Sequence, residues 1–404
     1  MDNVMSASTS VGSDALYDTP WRDKSVKWQP RKRTIFFNTH DDIISNLEQF
    51  VRLSLDSREG KALALFLAGL FLSVIGLTRI GGLLEILGFL SLFKGATILR
   101  HLKRVKPLQP IFENAAVKQF MLSMEEEKTR ESLKQDIENY RPIHDFLSSD
   151  TRFPRVNILL MGPIGVGKSS FFNTINSIFR GKIFGVARSG SSEHSLTTKF
   201  RQYPVISKSN SNKEMGFRIC DTMGLEPNHL MEKDNMRYIL NGHIEDKFLL
   251  DPSRAVAPNT PGFLKQPKLE DQIHCTAIVL DASTVDAADA IKDTIQNIKD
   301  MQTVMNSLDV PQVVILTCID KVCKQTKIDP SNALKSKLID KTVAKVSEML
   351  GLPQNCIFPV KNYEKECELD PNVDILALLA LKGILNSADA FLSLHRDEMD
   401  KYQS

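Results

Sequence analysis

An excess of charge of either sign is missing from this chain: 51 Lys+Arg stand against 49 Asp+Glu, a formal +2 over 404 residues. A protein held on nucleic acid by electrostatics needs a strongly basic face, so no nucleic-acid partner is expected. Cysteine is scarce too. The six (Cys220, Cys275, Cys318, Cys323, Cys356, Cys367) all fall in the second half, and Cys318 and Cys323 have no second pair at zinc-site spacing. Buried free thiols in a reducing compartment are the expectation. The opening stretch, MDNVMSASTSVGSDALYDTP, lacks the basic and apolar regions of a secretory leader, so a cleaved signal is not expected. No internal repeat is visible. With 42% hydrophobic and 25% charged residues, the composition is that of a chain that folds.

One long hydrophobic run stands out. Between Lys61 and Lys94 lies ALALFLAGLFLSVIGLTRIGGLLEILGFLSLF, with Arg79 and Glu85 its only charges. As one helix it would reach about 48 Å, more than a ~30 Å hydrocarbon core. Folded back at Gly81-Gly82 it becomes two apolar halves, with Arg52, Arg58 and Lys61 at one flank and Lys94, Arg100 and Lys103 at the other. Such a hairpin keeps both basic flanks on the cytosolic side. Membrane contact through 62–93 is the expectation; a buried hairpin and a single pass with Arg79 snorkelling are the alternatives. Residues 1–34, a polar tail, precede the helical region 35–110 that holds this run, and they carry both tryptophans, Trp21 and Trp28. Residues 111–150 read as a charged connector helix, most of whose charges form a solvated face.

From residue 151 to 395 the pattern changes to alternating strands and helices, which predicts an α/β domain with a mostly parallel sheet and helices on both faces. VNILLMG, CTAIVLD, VVILTCID and CIFPV are buried-strand candidates, and KFRQYPV with GFRIC makes an antiparallel edge pair. Helices are expected at 287–307, 331–350 and 373–394. An insertion at 227–272 contains the helix-like NMRYILNGHI and a loose Pro-rich run; it is either a surface excursion or a partner or dimer contact.

The most specific signal is Gly162-Pro-Ile-Gly-Val-Gly-Lys-Ser169, a G-x-x-x-x-G-K-[ST] loop between an apolar strand and the helix-like SSFFNTINSIF. Glycines let the backbone wrap a phosphate with its amides pointing inward, and the helix N-terminus adds partial positive charge. The expected phosphate-binding residues are Gly162, Gly165, Val166, Gly167, Lys168, Ser169 and Ser170. Lys168 reaches the β- and γ-phosphates, and Ser169 is a Mg2+ ligand. Asp221-Thr222-Met223-Gly224 follows GFRIC as D-x-x-G. Asp221 would hold Mg2+ through water, and the Gly224 amide would sense the γ-phosphate. In the intervening ARSGSSEHSLTTKF, Thr197 is preferred over Thr198 as the hydroxyl that closes on the metal.

For the base, Thr317-Cys318-Ile319-Asp320 stands where a guanine-specific protein carries [NT]-K-x-D. Asp320 would accept the guanine N1 and N2 hydrogens, and Lys361 and Asn362 occupy the loop that closes on the guanine carbonyl. The motif's lysine is replaced by Cys318, so guanine is favoured over adenine without being fixed. Leu225 stands where many GTPases have a water-positioning Gln, and Arg180 and Arg188 are the arginine-finger candidates. Turnover is therefore expected to be slow.

These residues resemble the interferon-induced protein 44 family: LLMGPIGVGKSSFFNTINSIFRG, SLTTKFRQY, CDTMGLE, YILNGHIEDKF and IFPVKNY carry the likeness over roughly residues 125 to 395. Pro20-Trp21-Arg22 with Trp28 is similar to the short element that precedes the G domain in such proteins. The resemblance implies a P-loop G domain at 151–395, GTP/GDP and Mg2+ as ligands, and a cytoplasmic protein of the interferon response, antiviral or regulatory. Cys318 and the hydrophobic run depart from the pattern, and no room is expected for the additional N-terminal domain (TLDc type) that some members carry. Three functions follow as alternatives: a GTP-binding switch, membrane-associated or homodimeric; a dedicated hydrolase, including an ATPase; and a weakly nucleotide-binding scaffold acting through 227–272 or the hydrophobic run.

Overall fold

The computed structural model describes residues 115–142, 153–185, 199–209, 213–222, 233–250, 255–287 and 292–395. The polar tail, the hydrophobic run 62–93, Arg188, Thr197, Gly224 and Leu225 lie outside them. Two compact units divide the chain, one of Arg31–Glu125 and one of Met1–Pro30 with Glu126–Ser404.

Short runs of Val, Ile and Leu have no polar alternation and must be buried on both faces, which only an interior strand of a covered sheet allows. Six strands result: β1 (Val156–Met161), β2 (Arg201–Ser207), β3 (Lys213–Asp221), β4 (Cys275–Asp281), β5 (Gln312–Thr317) and β6 (Ile357–Pro359). Their order across the sheet is β2-β3-β1-β4-β5-β6. Every pairing is parallel except β2 with β3. All six residues of β1 are buried; β4, β5 and β6 each have one half-exposed position, and the β2–β3 pair has the most. The antiparallel edge expected from KFRQYPV and GFRIC is present.

Among the described residues six helices of eight or more residues connect or cover the strands: α1 (Ala115–Glu138), α2 (Lys168–Arg180), α3 (Lys233–Leu240), α4 (Lys292–Asn306), α5 (Lys337–Leu350) and α6 (Pro371–Leu394). Where a helix was expected over 331–350, Pro330–Lys335 forms a 3-10 turn and α5 starts at Lys337, capped by the Ser336 hydroxyl accepting from the Ile339 amide. α6 starts where Asp370 accepts from the Asn372 amide and Pro371 takes the first turn. Among the described residues α6 is the one helix long and apolar enough to cross a membrane. Here it packs across β1, β4, β5 and β6 and against α2, and most of its side chains are buried.

The charged helix differs from its sequence reading. Glu126 and Lys134 are buried together with Leu133 and Ile137, at the three-to-four-residue spacing of one helix face. Arg130 donates from Nε to Asp374 on α6 at 2.6 Å, Lys382 reaches Asp136 at 3.0 Å, and the Tyr140 hydroxyl donates to Asp389 at 2.7 Å. From Glu126 onward α1 is thus a docked part of the α/β unit. Its charges read as solvent-facing because a sequence does not show which of them meet a buried counter-charge.

The insertion is ordered where described. Residues 247–249 lie along the start of β2 through backbone bonds between Phe200 and residues Lys247 and Phe248. The His243 ring stacks on Phe263 at 4.9 Å, with Tyr238 edge-on. All six cysteines are free; Cys220, Cys275 and Cys323 are buried, Cys318 and Cys356 half-buried. Burial pushes the Cys220 thiol up to about 12. Cys367 is exposed, contrary to the expectation of uniform burial.

Candidate nucleotide-binding site

Because β1, β3, β4, β5 and β6 run parallel, the loops after them gather at one edge of the sheet, where α/β folds build their sites. The loop after β1 is the glycine-rich one. Gly162 has φ 149°, and a Cβ there would collide with the Val279 carbonyl of β4. Gly167 has φ 97° and ψ 22° and caps α2 from the left-handed region, with Asn362 Nδ2 only 3.0 Å from where a Cβ would stand. Two glycines therefore bring the chain off β1 and start a helix whose first amides face the loop. Lys168 opens that helix, buried, with Nζ donating to the Gly162 carbonyl at 2.9 Å and the Pro163 carbonyl at 2.7 Å. Burial pulls its ammonium down to about 8, against the opposing pull of Asp221.

Ser169 and Asp221 meet beside it. The Ser169 hydroxyl donates to Asp221 Oδ2 at 2.8 Å. The other carboxylate oxygen, Oδ1, is buried with no hydrogen-bond partner, and so is the Thr222 hydroxyl next to it. Burial pushes the Asp221 carboxyl up, while Lys168, the Ser169 hydroxyl and the Thr222 backbone amide hold it down. An orphaned buried carboxylate oxygen costs free energy until something satisfies it. A hydroxyl and a carboxylate oxygen facing a phosphate-sized loop are the hard donors Mg2+ takes from a protein when phosphates and waters supply the rest. These donors fit Mg2+, which Ser169 and, through water, Asp221 would hold.

At the base end three of the four expected residues, Thr317, Lys361 and Asn362, are held by contacts within the chain. Thr317 is fully buried, its hydroxyl 2.6 Å from the Val166 carbonyl and 3.0 Å from the Leu280 carbonyl. It ties the phosphate loop to the ends of β4 and β5. Cys318 sits at φ 55°, and burial together with Asp281 pushes its thiol up to about 11. Asp320 follows in the first helical turn, half-buried. Lys361 is engaged by Glu366 at 2.7 Å. Asn362 donates to the Gly167 carbonyl at 3.2 Å and accepts from the Thr174 hydroxyl at 3.4 Å. Thr317 and Asn362 thus brace the phosphate loop from behind. Sequence reasoning missed this bracing, and it missed Thr174 and Tyr363, because both are ordinary polar residues whose partners are distant in the chain.

Arg180 is no finger for this site. It stands at the far end of α2, about 18 Å along the axis from Lys168. Its guanidinium lies over the Phe184 ring at 4.4 Å and donates to Asn176.

A parallel sheet in this strand order, a glycine loop leading into a helix, and a buried lysine beside a Ser–Asp pair define a P-loop fold of the α/β class. Curated relatives agree with the resemblance read from the residues. The chain is similar to human interferon-induced protein 44-like (36% identity over 265 residues, 65% of this chain and 57% of that protein). It is likewise similar to human interferon-induced protein 44 (34% over 264 residues, 65% and 57%) and to the mouse protein of the same name (30% over 275 residues, 67% and 63%). The chain therefore spans 57% of the length of these human relatives. No protein-family model matches it. Among solved structures, a probable GTP-binding protein EngB aligns at 16% identity over 51% of this chain and 89% of its own, with a TM-score of 0.30. The elongation factor SelB of Methanococcus maripaludis, in complex with the GTP analogue GppNHp, aligns at 13% over 52% and 30%, with a TM-score of 0.25. Both likenesses are remote, and the fold assignment rests on the topology and loop geometry described above.

Proposed function

We propose that this chain is a Mg2+-dependent GTP-binding protein of the interferon response that hydrolyses its nucleotide slowly. The observation that carries the nucleotide reading is the buried Lys168 ammonium beside the Ser169–Asp221 pair, a cation and two oxygen donors gathered at a glycine loop. Loop amides and Lys168 would take the β- and γ-phosphates, and Ser169 and Asp221 would hold the metal, which supplies charge neutralisation when bound. Asp320, at the end of β5, would accept the guanine N1 and N2 hydrogens. The interferon context comes from the relatives' names and extends to this chain as part of the proposal. Slow turnover follows from Leu225 in the sequence position of a water-positioning Gln.

Competition of GTP and ATP against a fluorescent guanine nucleotide, with Mg2+, tests this. Preferential displacement by GTP is expected; preferential displacement by ATP ends the guanine assignment, and displacement by neither ends the nucleotide reading. A second reading, a scaffold that binds nucleotide weakly, is favoured by one fact: Lys361 and Asn362 are engaged by Glu366 and by the phosphate loop. Weak affinity for every purine triphosphate in the same assay would support it. Membrane association through 62–93 belongs to the proposal as well, and retention of the expressed protein in the pellet after carbonate extraction is the expected result.

A further inference from the structure

A chain of hydrogen bonds leaves the phosphate loop and ends on helix α1. The Gly167 carbonyl accepts from Asn362 Nδ2, and Asn362 Oδ1 accepts from the Thr174 hydroxyl of α2. Thr174 in turn accepts from the Tyr363 amide at 3.1 Å. The Tyr363 hydroxyl donates to Asp374 Oδ1 at 2.6 Å while accepting from the Asp370 amide at 2.7 Å. The second Asp374 oxygen accepts from Arg130 Nε at 2.6 Å. Asp374 is fully buried in the first turn of α6, and the Arg130 side chain is 11% exposed. None of these residues beyond Gly167 and Asn362 belongs to the nucleotide site itself.

We propose that Asn362-Tyr363 is a coupling element: occupancy of the phosphate loop is transmitted through Tyr363 and Asp374 to Arg130 and sets how firmly α1 is docked. The inference takes its ligand from the nucleotide reading above. Its physical basis is the planar peptide between Gly167 and Lys168. The face of that unit that would give the Lys168 amide to a phosphate lies opposite the face that shows the Gly167 carbonyl to Asn362. That carbonyl also accepts from the Phe171 amide at 2.8 Å, so a tilt of the peptide that satisfies the phosphate is felt by the longer Asn362 bond and by the first turn of α2. Two of the three Lys168 ammonium hydrogens are held by the Gly162 and Pro163 carbonyls, so a phosphate that takes the third is fixed relative to the loop backbone. At the other end the buried Asp374 carboxylate relies on Arg130, which also reaches Glu127 at 2.7 Å and Glu131 at 3.0 Å, and losing that contact leaves a buried charge uncompensated. Tyr363 is a positioning residue here, touching neither phosphate nor base.

Hydrogen–deuterium exchange on the full chain tests this, read on 126–138 (α1) and 168–180 (α2), empty and with GDP plus Mg2+. In the wild type GDP should slow exchange in both segments, by about fivefold or more in 126–138. In Tyr363→Phe, which removes only the hydroxyl, GDP should still protect 168–180 while its effect on 126–138 disappears. Protection of 168–180 alone in the wild type, or unchanged coupling in Tyr363→Phe, overturns the proposal. Should GDP alter neither segment, the nucleotide reading has failed on its own, and the empty protein decides. Coupling is reciprocal, so Arg130→Lys must then speed exchange in 168–180 relative to α5. Equal rates in the two helices overturn the proposal; a selective change in α2 upholds it.

Discussion

Ser169 gives its hydroxyl proton to Asp221 across 2.8 Å, joining the first turn of α2 to the last residue of β3. The bond leaves Asp221 Oδ1 buried without a partner, so the pair is half of a site.

Removing that half has a defined consequence. Ser169→Ala should abolish most of the gain in nucleotide affinity that Mg2+ brings, a loss of about 1.5–3 kcal/mol for a charge-assisted contact. Affinity measured in excess chelator should change little. Isothermal titration with and without Mg2+ checks both, and equal losses in the two conditions would reject Ser169 as a metal ligand.

The lysine predicts a pH dependence. With Lys168 lowered from 10.5 to about 8 in the empty protein, the folded chain binds fewer protons than the unfolded chain between those values. This group's contribution to stability therefore rises with pH across that window and is smallest below pH 8. A bound phosphate favours the charged ammonium, so nucleotide binding should take up a proton above pH 8. Affinity should weaken as pH climbs beyond 8, by up to about tenfold per unit. Binding enthalpies measured in buffers of different ionisation heat give the proton count directly.

Thr317 offers a test of the brace. Thr317→Val keeps the volume but leaves the Val166 and Leu280 carbonyls without their hydroxyl, costing about 1–3 kcal/mol in stability or in nucleotide affinity. Thr317→Ser should restore most of it, as read by thermal melting and by nucleotide titration.

At Gly162 the strain is steric. Gly162→Ala drives a methyl into the Val279 carbonyl, and relief requires β1 and β4 to move apart. A loss of about 1–3 kcal/mol is expected, visible as a fall of several degrees in the melting temperature. Gly165→Ala, where a Cβ meets nothing within 4 Å, is the matched control for left-handed backbone alone.

The sheet was legible because fully apolar runs such as VNILLM and CTAIVLD have one stable home, between covering layers. Lys168 and Ser169 were legible because phosphate chemistry dictates both residue types and their spacing. What the residues did not reveal was direction. Asn362 and Lys361 occupy the expected loop, yet one faces the Gly167 carbonyl and the other Glu366. Arg130 reads as one charge among many until Asp374, 244 positions later, is brought against it. A partner that distant leaves no local pattern, and neither does a hydroxyl such as that of Thr317, which lies within reach of one carbonyl of the phosphate loop and one of β4.

The most apolar helix of the described fold, α6, is also its last element, and among the strands it covers is β1, more than two hundred residues upstream. During synthesis β1 must therefore wait, one side bare, until residues 371–394 have left the ribosome. A frameshift or nonsense lesion just before Pro371 would leave the same surface permanently uncovered, whatever the integrity of the glycine loop.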